Sequence, residues 1–341
     1  MPEPKFHQKI AWFNFICCLM VIWTHSGNAD LFFPELGQDA PWWHFQYPVM
    51  QEILRVDIPC FIMLSAYLFY RNFTMKRLGE KLNKRLHSLL VPYLLWNTIY
   101  YVAYVAASRI PGLQMIANRT DLVITTSGAW QAITKYTFNP VFWFMYQIIL
   151  LVLLAPVLYL FLKNIWTGAA FLLVLLVALF KGVALPELNL DALIYYSVAA
   201  YAALHGRKWA EAVWSWKRAA LGVCLLAVGI VLSRSYYTHY FVPGIVLYQL
   251  LAVIGIWMMV NERWLGEVRP FMTCTFFIYA THFVVVRFLN KAAALLFPGS
   301  QLVSMFMYVC MPLLAVTLCY QAARVLRRYR PDIWKTLNGG R

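Results

Sequence analysis

The feature that most constrains the fold is a succession of ten apolar stretches, each about as long as a helix must be to cross a lipid bilayer. Hydrophobic residues make up 62% of the 341 positions, whereas charged residues make up only 13%. A water-soluble domain of this size does not bury so much apolar surface. The sequence therefore predicts an all-α bundle of about ten transmembrane helices, organised as a single domain over residues 1–341. The stretches lie at roughly 10–26, 51–70, 88–107, 141–162, 167–184, 189–204, 219–234, 240–260, 270–289 and 301–323.

The distribution of basic residues predicts how these helices are oriented. The formal net charge is +15, and with a cytoplasmic N-terminus 21 Lys and Arg residues fall in cytoplasmic segments, against five in outer segments. This asymmetry follows the positive-inside rule and predicts that both termini are cytoplasmic. The basic excess is therefore interpreted as a signal for membrane topology and not for nucleic-acid binding. The predicted partner is the lipid bilayer. The same asymmetry also predicts outer loops at about 27–50 and 108–140, and a basic cytoplasmic tail at 324–341 on the anionic inner leaflet.

The cysteines and the N-terminus exclude two further classes of protein. The seven cysteines lie almost wholly in apolar stretches and lack the spacing of metal ligands, so neither a disulfide framework nor a metal site is predicted. No small-residue cleavage site follows the first apolar stretch, and we expect that stretch to be retained as the first helix.

His25 ends the first apolar stretch and is the most informative single residue. An ionisable side chain in or at the edge of a membrane helix is costly, and imidazole titrates near neutral pH, which suits proton transfer. Asn14 precedes it by eleven positions, close to three helical turns of ~3.6 residues, so both side chains share one face roughly 16 Å apart. His25 can equally mark the water interface, and on this feature alone both interpretations stay open.

The second stretch carries polar residues that need an explanation. Arg55 and Asp57 are two positions apart, so an ideal helix would point them in different directions, but Pro59 disturbs the preceding turn. We expect this segment either to unwind around a cavity or to place its charges in ion pairs with another helix. Ser65, further along, either faces the cavity or returns a hydrogen bond to its own backbone.

A basic segment precedes the third stretch. Its side chains Lys81, Lys84, Arg85 and Ser88 are spaced at i, i+3, i+4 and i+7, which predicts one basic face at the cytoplasmic start of a helix. Such a face beside a helix N-terminus suits the binding of phosphate groups. Ordinary positive-inside charge is the alternative interpretation.

Aromatic residues cluster at the boundaries of several stretches. The first outer loop combines Trp42 and Trp43 with acidic residues, which fits either a membrane-boundary belt or a platform that stacks against sugar rings. The fourth stretch opens with Trp143 and Tyr146, and the ninth carries a second intramembrane histidine, His282. Taken singly, aromatic groups of this kind are most often packing or belt residues.

These segments cover nearly the whole chain, and in their content and their order they resemble the motifs of the membrane acyltransferase 3 family. That family has a first helix with a basic residue, ten intervening positions and a histidine, which here is His25. Its other motifs are a Phe-Phe-x-x-Ser-Gly-Tyr-Leu-like stretch, a basic segment running into Leu-x-x-Pro-Tyr, a Trp-Phe pair and a Phe-x-Ile-Tyr-x-x-His stretch. They are matched here by Phe61–Leu68, Lys84–Tyr93, Trp143–Phe144 and Phe276–His282.

Three positions depart from the pattern of that family. Asn14 stands where the family usually has Arg or Lys, although the spacing to His25 is kept. Ala66 stands where it has Gly. Of two family arginines spaced three apart before the proline, Arg85 matches the first, and Ser88 stands in place of the second.

The resemblance implies an O-acyltransferase that moves an acyl group, usually acetyl, from cytoplasmic acyl-coenzyme A to a hydroxyl of an extracytoplasmic glycan or lipid-linked sugar. It also implies a multi-pass protein of the bacterial inner membrane with no permanently bound cofactor. His25 would be the general base or form a transient acyl-imidazole. Arg85 with Lys81 or Lys84 would hold the donor's phosphates, and Asn14 would offer a hydrogen bond along the channel. The remaining candidates would line the cavity: Ser65, Tyr67, Arg55, Asp57, Trp143, Tyr146 and His282.

Two other functions stay open on the sequence alone. A transporter or flippase of a small solute or lipid-linked sugar also fits the intramembrane polar groups Arg55, Asp57, Lys181 and His282. Against it, the sequence lacks the paired halves with matching broken helices that are typical of transporters. A non-catalytic partner in an envelope-polysaccharide complex is compatible with the same residues.

Overall fold

A computed structural model describes residues 1–114, 122–239 and 241–340, so part of the outer loop predicted at 108–140 lies outside the described residues. Every regular element in the described ranges is helical, which confirms the all-α prediction. The helices are α1 (Glu3–Thr24), α2 (Ala29–Phe32), α3 (Trp43–Pro48), α4 (Asp57–Tyr70), α5 (Leu78–Arg85), α6 (Val91–Ala107), α7 (Thr126–Thr134), α8 (Trp143–Leu153), α9 (Ala155–Leu162), α10 (Ile165–Phe180), α11 (Leu190–His205), α12 (Arg207–Ala210), α13 (Trp216–His239), α14 (Val242–Met259), α15 (Thr275–Leu296), α16 (Gln301–Tyr329) and α17 (Pro331–Leu337).

The apolar length of these helices fits a membrane-spanning protein. Within the described ranges, seven helices, counted with their flanking turns, are long and apolar enough to cross a bilayer. Helices α8 and α9 meet at a 59° bend beside Pro156, which has no backbone N–H to donate. If the two helices cross the bilayer together as one broken span, they are the eighth. Helix α10 is apolar but shorter. The multi-pass α-helical architecture is confirmed, while the count of ten and the cytoplasmic termini stay predictions.

The chain forms two compact units, and each is assembled from three separated segments. The first unit takes Met1–Cys17, Val56–Asn83 and Gln147–Met272, and the second takes Cys18–Arg55, Lys84–Tyr146 and Thr273–Arg341. Because these segments alternate along the chain, neither unit corresponds to one continuous stretch of sequence. The single domain over residues 1–341 stays a prediction.

In the first unit, helices α13 and α14 pack closely through glycine. A side-chain carbon added at Gly222 would lie 2.6 Å from the carbonyl oxygen of Gly255, and one added at Gly255 would lie 2.6 Å from that of Gly222. A side-chain carbon added at Gly229, on α13, would lie 3.3 Å from the backbone of Tyr248 on α14, a looser but still tight contact. Lipid tails are as apolar as the helices, so burial drives association weakly, and close packing through small residues holds such a pair together.

Gly255→Ala is expected to destabilise the protein by about 1–3 kcal/mol, because the added methyl group pushes two helix backbones apart. The measurement is the melting temperature of the purified protein in detergent. Gly79→Ala is the matched control, since Gly79 lies in α5 with open space around its Cα and alanine favours a helix. Equal melting temperatures for the two variants would contradict the close contact between α13 and α14.

Charged side chains of the first unit meet just beyond the ends of α4 and α12. Arg71 donates to the two carboxylate oxygens of Glu211 at 2.7 and 3.0 Å, and to those of Glu3 at 2.5 and 2.6 Å. Arg207 adds a 3.1 Å contact to Glu211, and the Tyr67 hydroxyl donates to the same carboxylate at 2.8 Å. The side chains of Arg71 and Glu211 are only 8% and 12% exposed. The central pair of this ion cluster is therefore largely shielded from water, whereas Glu3 and Arg207 are 55% and 42% exposed. The cluster ties α4 to α12.

In the second unit, the C-terminal segment packs against α6. The carbonyl oxygen of Leu337 accepts a 3.1 Å hydrogen bond from the indole of Trp96. Gly339 has φ +66°, and a side-chain carbon there would lie 2.7 Å from the carbonyl oxygen of Ser88, so only glycine fits. The tail predicted at 324–341 thus continues α16 and then packs against α6.

Candidate functional site

His25 lies in the second unit, directly after the last residue of α1. Its backbone N–H still bonds to the carbonyl oxygens of Val21 and Ile22, and its imidazole is half-buried. The ring centre lies 5.6 Å from that of His282 and 5.4 Å from that of Phe283. Among the described residues, neither ring nitrogen of His25 makes a hydrogen bond. The neutral imidazole therefore keeps a lone pair available for an incoming hydroxyl group.

His282 is fully buried on α15. Its Nδ1 lies 2.6 Å from the carbonyl oxygen of Tyr279, one turn earlier on the same helix. Because a carbonyl oxygen only accepts, we assign the proton to Nδ1, which makes Nε2 of the neutral ring an acceptor. Within the described part of the chain, Nε2 has no hydrogen-bond partner. Buried acceptors are nearly always satisfied, so this one, beside a second imidazole, marks a candidate functional site.

A buried amide network holds the chain that follows His25. The side-chain oxygen of Gln46 accepts two backbone N–H groups at the start of α2, at 3.0 and 3.1 Å, and its nitrogen donates to the Asn28 side chain at 3.1 Å. Asn28 in turn donates to Asn290 at 3.1 Å and accepts from the Ser304 hydroxyl at 2.9 Å. Because all four side chains are buried and mutually satisfied, the network fixes the backbone beside His25.

Gln46→Ala is expected to lower the free energy of unfolding by about 2–4 kcal/mol, because it leaves two buried backbone N–H groups and one amide oxygen short of a partner. The readouts are the melting temperature and the amide hydrogen exchange of residues 26–30. Gln38→Ala is the control, since Gln38 lies exposed in the same loop. Unchanged exchange at residues 26–30 in Gln46→Ala would show that the network does not hold this backbone.

Aromatic stacking joins three predicted motifs in the second unit. Phe142, just before α8, stacks on Tyr279 of α15 at 5.7 Å and on Tyr93 of α6 at 6.0 Å between ring centres. The Tyr279 hydroxyl also donates to the backbone just before α8. Trp143 and Tyr146, predicted as cavity residues, are half-buried in the first turn of α8, and Tyr146 lies 6.4 Å from Tyr93. These motifs and the two histidines thus belong to the same unit, which the sequence order alone did not require.

The charged pair predicted in the second stretch does not lie in an ideal helix. Val49–Ile53 forms a wide π-type turn and Leu54–Val56 a tight 3-10 turn, and α4 begins only at Asp57. The buried Asp57 carboxylate accepts the following backbone N–H at 2.6 Å, where it favours the helix start. Arg55 is half-buried and belongs to the second unit, whereas Asp57 belongs to the first. The irregular backbone expected before Pro59 is therefore present, and Asp57 has a structural contact.

The basic segment begins as α5 and then changes geometry. Residues Leu86–Leu90 form a π-type turn that leads into α6. Pro92 accounts for this wide turn, because it has no N–H and its ring crowds the carbonyl four residues earlier, that of Ser88. The basic face expected from ideal α-helical spacing therefore ends at Arg85, and the wider turn rotates Ser88 away from it.

Lys81, a predicted phosphate contact, makes two structural contacts in the fold. Its ammonium donates to the carbonyl oxygen of Phe69 and, at 2.9 Å, to that of Arg71, which caps the C-terminus of α4. Two of its three donors are used in this way. Lys84 is exposed and Arg85 is half-buried at the end of α5. These two residues stay the candidates for binding phosphate.

The first unit contains an apolar cavity of about 130 Å³. Its walls come from α1, α4, α11, α12 and α14, and they are almost wholly apolar. Tyr67 lines this cavity and connects it to the ion cluster, while its predicted role in a substrate cavity stays a prediction. The wall runs from Leu64 to Tyr67 and leaves out the half-buried Ser65. Asn14 is half-buried on α1, next in sequence to the lining residue Phe13.

Lys9 is a buried cation that sequence reasoning missed. It is 3% exposed, and its ammonium donates to the carbonyl oxygens of Trp257 and Val260 at 2.8 and 2.7 Å. It also lies 4.6 Å from the centre of the Trp257 ring. A lysine here satisfies carbonyls that the end of α14 leaves unpaired. From the sequence alone, Lys9 contributes only to the positive-inside count.

The predicted outer loop at 27–50 holds α2, α3 and an aromatic pair. Trp43 and Tyr47 are stacked, with 5.6 Å between ring centres and 16° between ring planes. The indole of the preceding Trp42, whose φ is +70°, donates to the carbonyl oxygen of Gln301 at 3.1 Å. Tyr47 is 48% exposed. A flat aromatic pair at the surface is suited to stacking against the apolar face of a sugar ring.

Comparison with known proteins tests the family resemblance. The family described as acyltransferase domain matches residues 9–324, which is almost the whole chain. This chain belongs to the acyltransferase 3 family. Together with its apolar helices, this makes it a multi-pass membrane acyltransferase, as the sequence motifs predict.

Similarity to individual proteins is weaker. The succinoglycan biosynthesis protein ExoH of Rhizobium meliloti (strain 1021) is 24% identical to the acyltransferase over 342 residues. The match covers 94% of the acyltransferase and 89% of ExoH. No solved structure matches the acyltransferase significantly.

Proposed function

We propose that the acyltransferase moves an acyl group, with acetyl as the first candidate, from cytoplasmic acyl-coenzyme A to a hydroxyl of an extracytoplasmic glycan, with His25 as the base. The observation that carries the proposal is the imidazole of His25. It is half-buried beside His282, held next to the amide network, and without a hydrogen bond to any described residue. The family match supports acyl transfer, and the name of ExoH supports a glycan as acceptor.

In the proposed reaction, neutral His25 accepts the proton of the acceptor hydroxyl while that oxygen attacks the carbonyl carbon of the thioester. The tetrahedral intermediate then collapses and expels the coenzyme A thiolate. The thiolate takes the proton from the imidazolium, so the products are an ester and a free thiol. In the alternative course, the imidazole attacks the thioester first, expels the coenzyme A thiolate and forms a transient acyl-imidazole. The acceptor hydroxyl then attacks the acyl-imidazole, which releases the imidazole, and the hydroxyl proton passes to the thiolate. Both courses require a ring nitrogen of His25 with an available lone pair.

The proposed contacts for the donor's phosphates are Lys84 and Arg85. They end α5, just before the π-type turn at Leu86–Leu90, in a segment that the positive-inside rule places on the cytoplasmic side. A guanidinium group binds phosphate oxygens through two parallel hydrogen bonds, and the exposed ammonium adds a point charge. Basic groups on that side suit a donor that is made in the cytoplasm.

The proposed contact surface for the acceptor is the loop that follows His25. Its stacked pair Trp43 and Tyr47 offers flat aromatic surface. Exposed carboxylates at Glu35 and Asp39 lie in the same loop and can accept hydrogen bonds from sugar hydroxyls. An aromatic face beside carboxylates fits a neutral or basic glycan better than an acidic one.

The polar groups that also fit a transporter have contacts or positions that favour the enzyme. Asp57 accepts a hydrogen bond at the start of α4, and His282 donates to a carbonyl of its own helix. Lys181 is exposed directly after the last residue of α10. The structural hydrogen bonds of Asp57 and His282, and the position of Lys181 at a helix end, account for these polar groups without an ion-coupled pathway across the membrane.

The test measures acyl transfer directly. Purified acyltransferase in lipid nanodiscs receives acetyl-coenzyme A labelled in the acetyl group, together with surface glycan from cells that lack the gene. The expected result is release of the coenzyme A thiol and a labelled, base-labile ester on the glycan. Mass spectrometry of surface glycans from cells with and without the gene is expected to show the same ester only with the gene. No thiol release and identical glycans, with solute uptake into proteoliposomes instead, would overturn the proposal.

A further inference from the structure

We infer that His282 is a positioning residue for His25: once the His25 side chain rotates towards His282, the buried Nε2 of His282 accepts the N–H of the His25 imidazole and so leaves the other His25 nitrogen bare, facing the acceptor hydroxyl. This inference rests on the proposed function and goes beyond it, because it assigns a role to a second histidine. It is carried by three observations within the second unit: the closeness of the two rings, the fixed tautomer of His282, and its unpartnered nitrogen.

The tautomer of His282 follows from its surroundings. Nδ1 must carry the proton, since the Tyr279 carbonyl oxygen at 2.6 Å can only accept. The ring is fully buried, and doubly protonated imidazolium would place a charge there, so the neutral form holds and Nε2 is an acceptor. The helical backbone of α15 supplies the carbonyl, so the orientation of the ring is set by the fold itself.

The only described ring that brings a polar N–H close to His282 is that of His25. The two ring centres are 5.6 Å apart with 37° between their planes, and the Tyr279 ring, 5.9 Å away, has its own hydroxyl committed to the backbone before α8. Phe283, the other ring against His25, is apolar and offers no hydrogen bond. A rotation of the half-buried His25 side chain would bring an N–H of His25 towards Nε2. Such a bond would satisfy the buried acceptor.

This arrangement prepares His25 for proton transfer in two ways. Once one His25 nitrogen donates to His282, the other is the bare nitrogen that a general base needs, which removes the competing tautomer. When His25 has taken the proton, its imidazolium still donates to Nε2, and the positive charge is shared with a fixed acceptor. A base oriented by a third group is the general arrangement of nucleophile-activating sites.

The test separates the two nitrogens of His282. His282→Gln keeps an acceptor near the position of Nε2, whereas His282→Asn keeps a donor near the position of Nδ1 and loses the acceptor. We expect His282→Asn and His282→Ala to lower kcat by about tenfold or more with little change in KM for acyl-coenzyme A, and His282→Gln to stay within a few-fold of the wild type. Added imidazole is expected to restore part of the activity of His282→Ala.

A purely structural role for His282 predicts the opposite pattern. In that case His282→Asn, which keeps the Tyr279 hydrogen bond, retains its activity. His282→Gln then has a lower melting temperature and a lower activity than the wild type. This result would overturn the inference. A second readout is the double variant His25→Ala with His282→Asn, in which the second substitution is expected to cause no further loss of kcat. Equal losses from His282→Asn in both backgrounds would also overturn it.

The same data distinguish this inference from the proposed function. If His25→Ala keeps the wild-type rate, His25 is not the base and the proposed function fails, whatever His282 does. If His25→Ala is inactive while His282→Asn and His282→Ala both match the wild type, only the role of His282 fails.

Discussion

Replacing His25 with alanine is expected to lower kcat for acyl transfer by about 10²–10⁴-fold, the range that one general base contributes. The KM for acyl-coenzyme A is expected to stay unchanged, because the proposed phosphate contacts are Lys84 and Arg85. The melting temperature is expected to stay close to that of the wild type, since His25 makes no side-chain hydrogen bond to any described residue. A stable protein with a large loss of kcat would place His25 in the chemistry and not in the fold.

His44→Ala is the matched control, because His44 is an exposed histidine in the loop that follows His25. It is expected to keep the wild-type rate. His25→Gln adds a second test, since glutamine can hydrogen-bond but takes up no proton at neutral pH, and it is expected to be as slow as His25→Ala. Wild-type kcat in either His25 variant would remove His25 from the mechanism. Thiol release, followed with excess acceptor glycan, measures all three variants.

Glu211→Ala is expected to lower the free energy of unfolding by about 2–4 kcal/mol, because Glu211 joins the ion cluster of the first unit. Its removal leaves Arg71, only 8% exposed, with the single carboxylate of Glu3. The control is Glu80→Ala, which breaks a pair with Arg77 whose side chains are 65% and 52% exposed. Exposed pairs contribute at most about 1 kcal/mol, so the control is expected to melt near the wild type. Equal melting temperatures would contradict a stabilising cluster.

The same carboxylate gives the stability a pH dependence. Burial opposes its charged form, but hydrogen bonds from Arg71 and Tyr67, with the charges of Arg71 and Arg207, outweigh it and lower the pKa of Glu211. Hydrogen bonds to Glu3 and Glu211 raise the pKa of Arg71, so the guanidinium stays charged. A carboxylate with a lowered folded pKa stabilises above its unfolded pKa and loses this contribution as pH falls through the folded value. The melting temperature is therefore expected to fall as pH drops below about 5, and to fall less in Glu211→Gln.

Much of the helical framework could be predicted because apolar length is written directly in the sequence. The stretch expected at 88–107 lies on α6, and the one at 301–323 lies within α16. Local breaks were only partly predictable. Pro92 signals a disturbed helix. Whether the backbone forms a kink, a tight turn or the π-type turn observed at Leu86–Leu90 depends on the side chains packed around it.

The pairing of side chains in the candidate site was beyond sequence reasoning. His25 and His282 each stood out as ionisable groups in apolar stretches, but their contact joins segments far apart in the chain. The structural contacts of Lys81 and Lys9 were also beyond sequence reasoning. Any lysine near a membrane boundary looks like positive-inside charge, and only the fold shows that these two cap the ends of α4 and α14.

The alternation of segments between the two units sets the order in which the chain can mature during synthesis. The second unit includes Thr273–Arg341, so α15 and its histidine leave the ribosome after all three segments of the first unit. His25 precedes two of those three segments and His282 follows all of them, so the two histidines are synthesised far apart in time. A protein stopped before Thr273 would have all three segments of the first unit but not those of the second. The candidate site can therefore be completed only after the whole first unit has been synthesised.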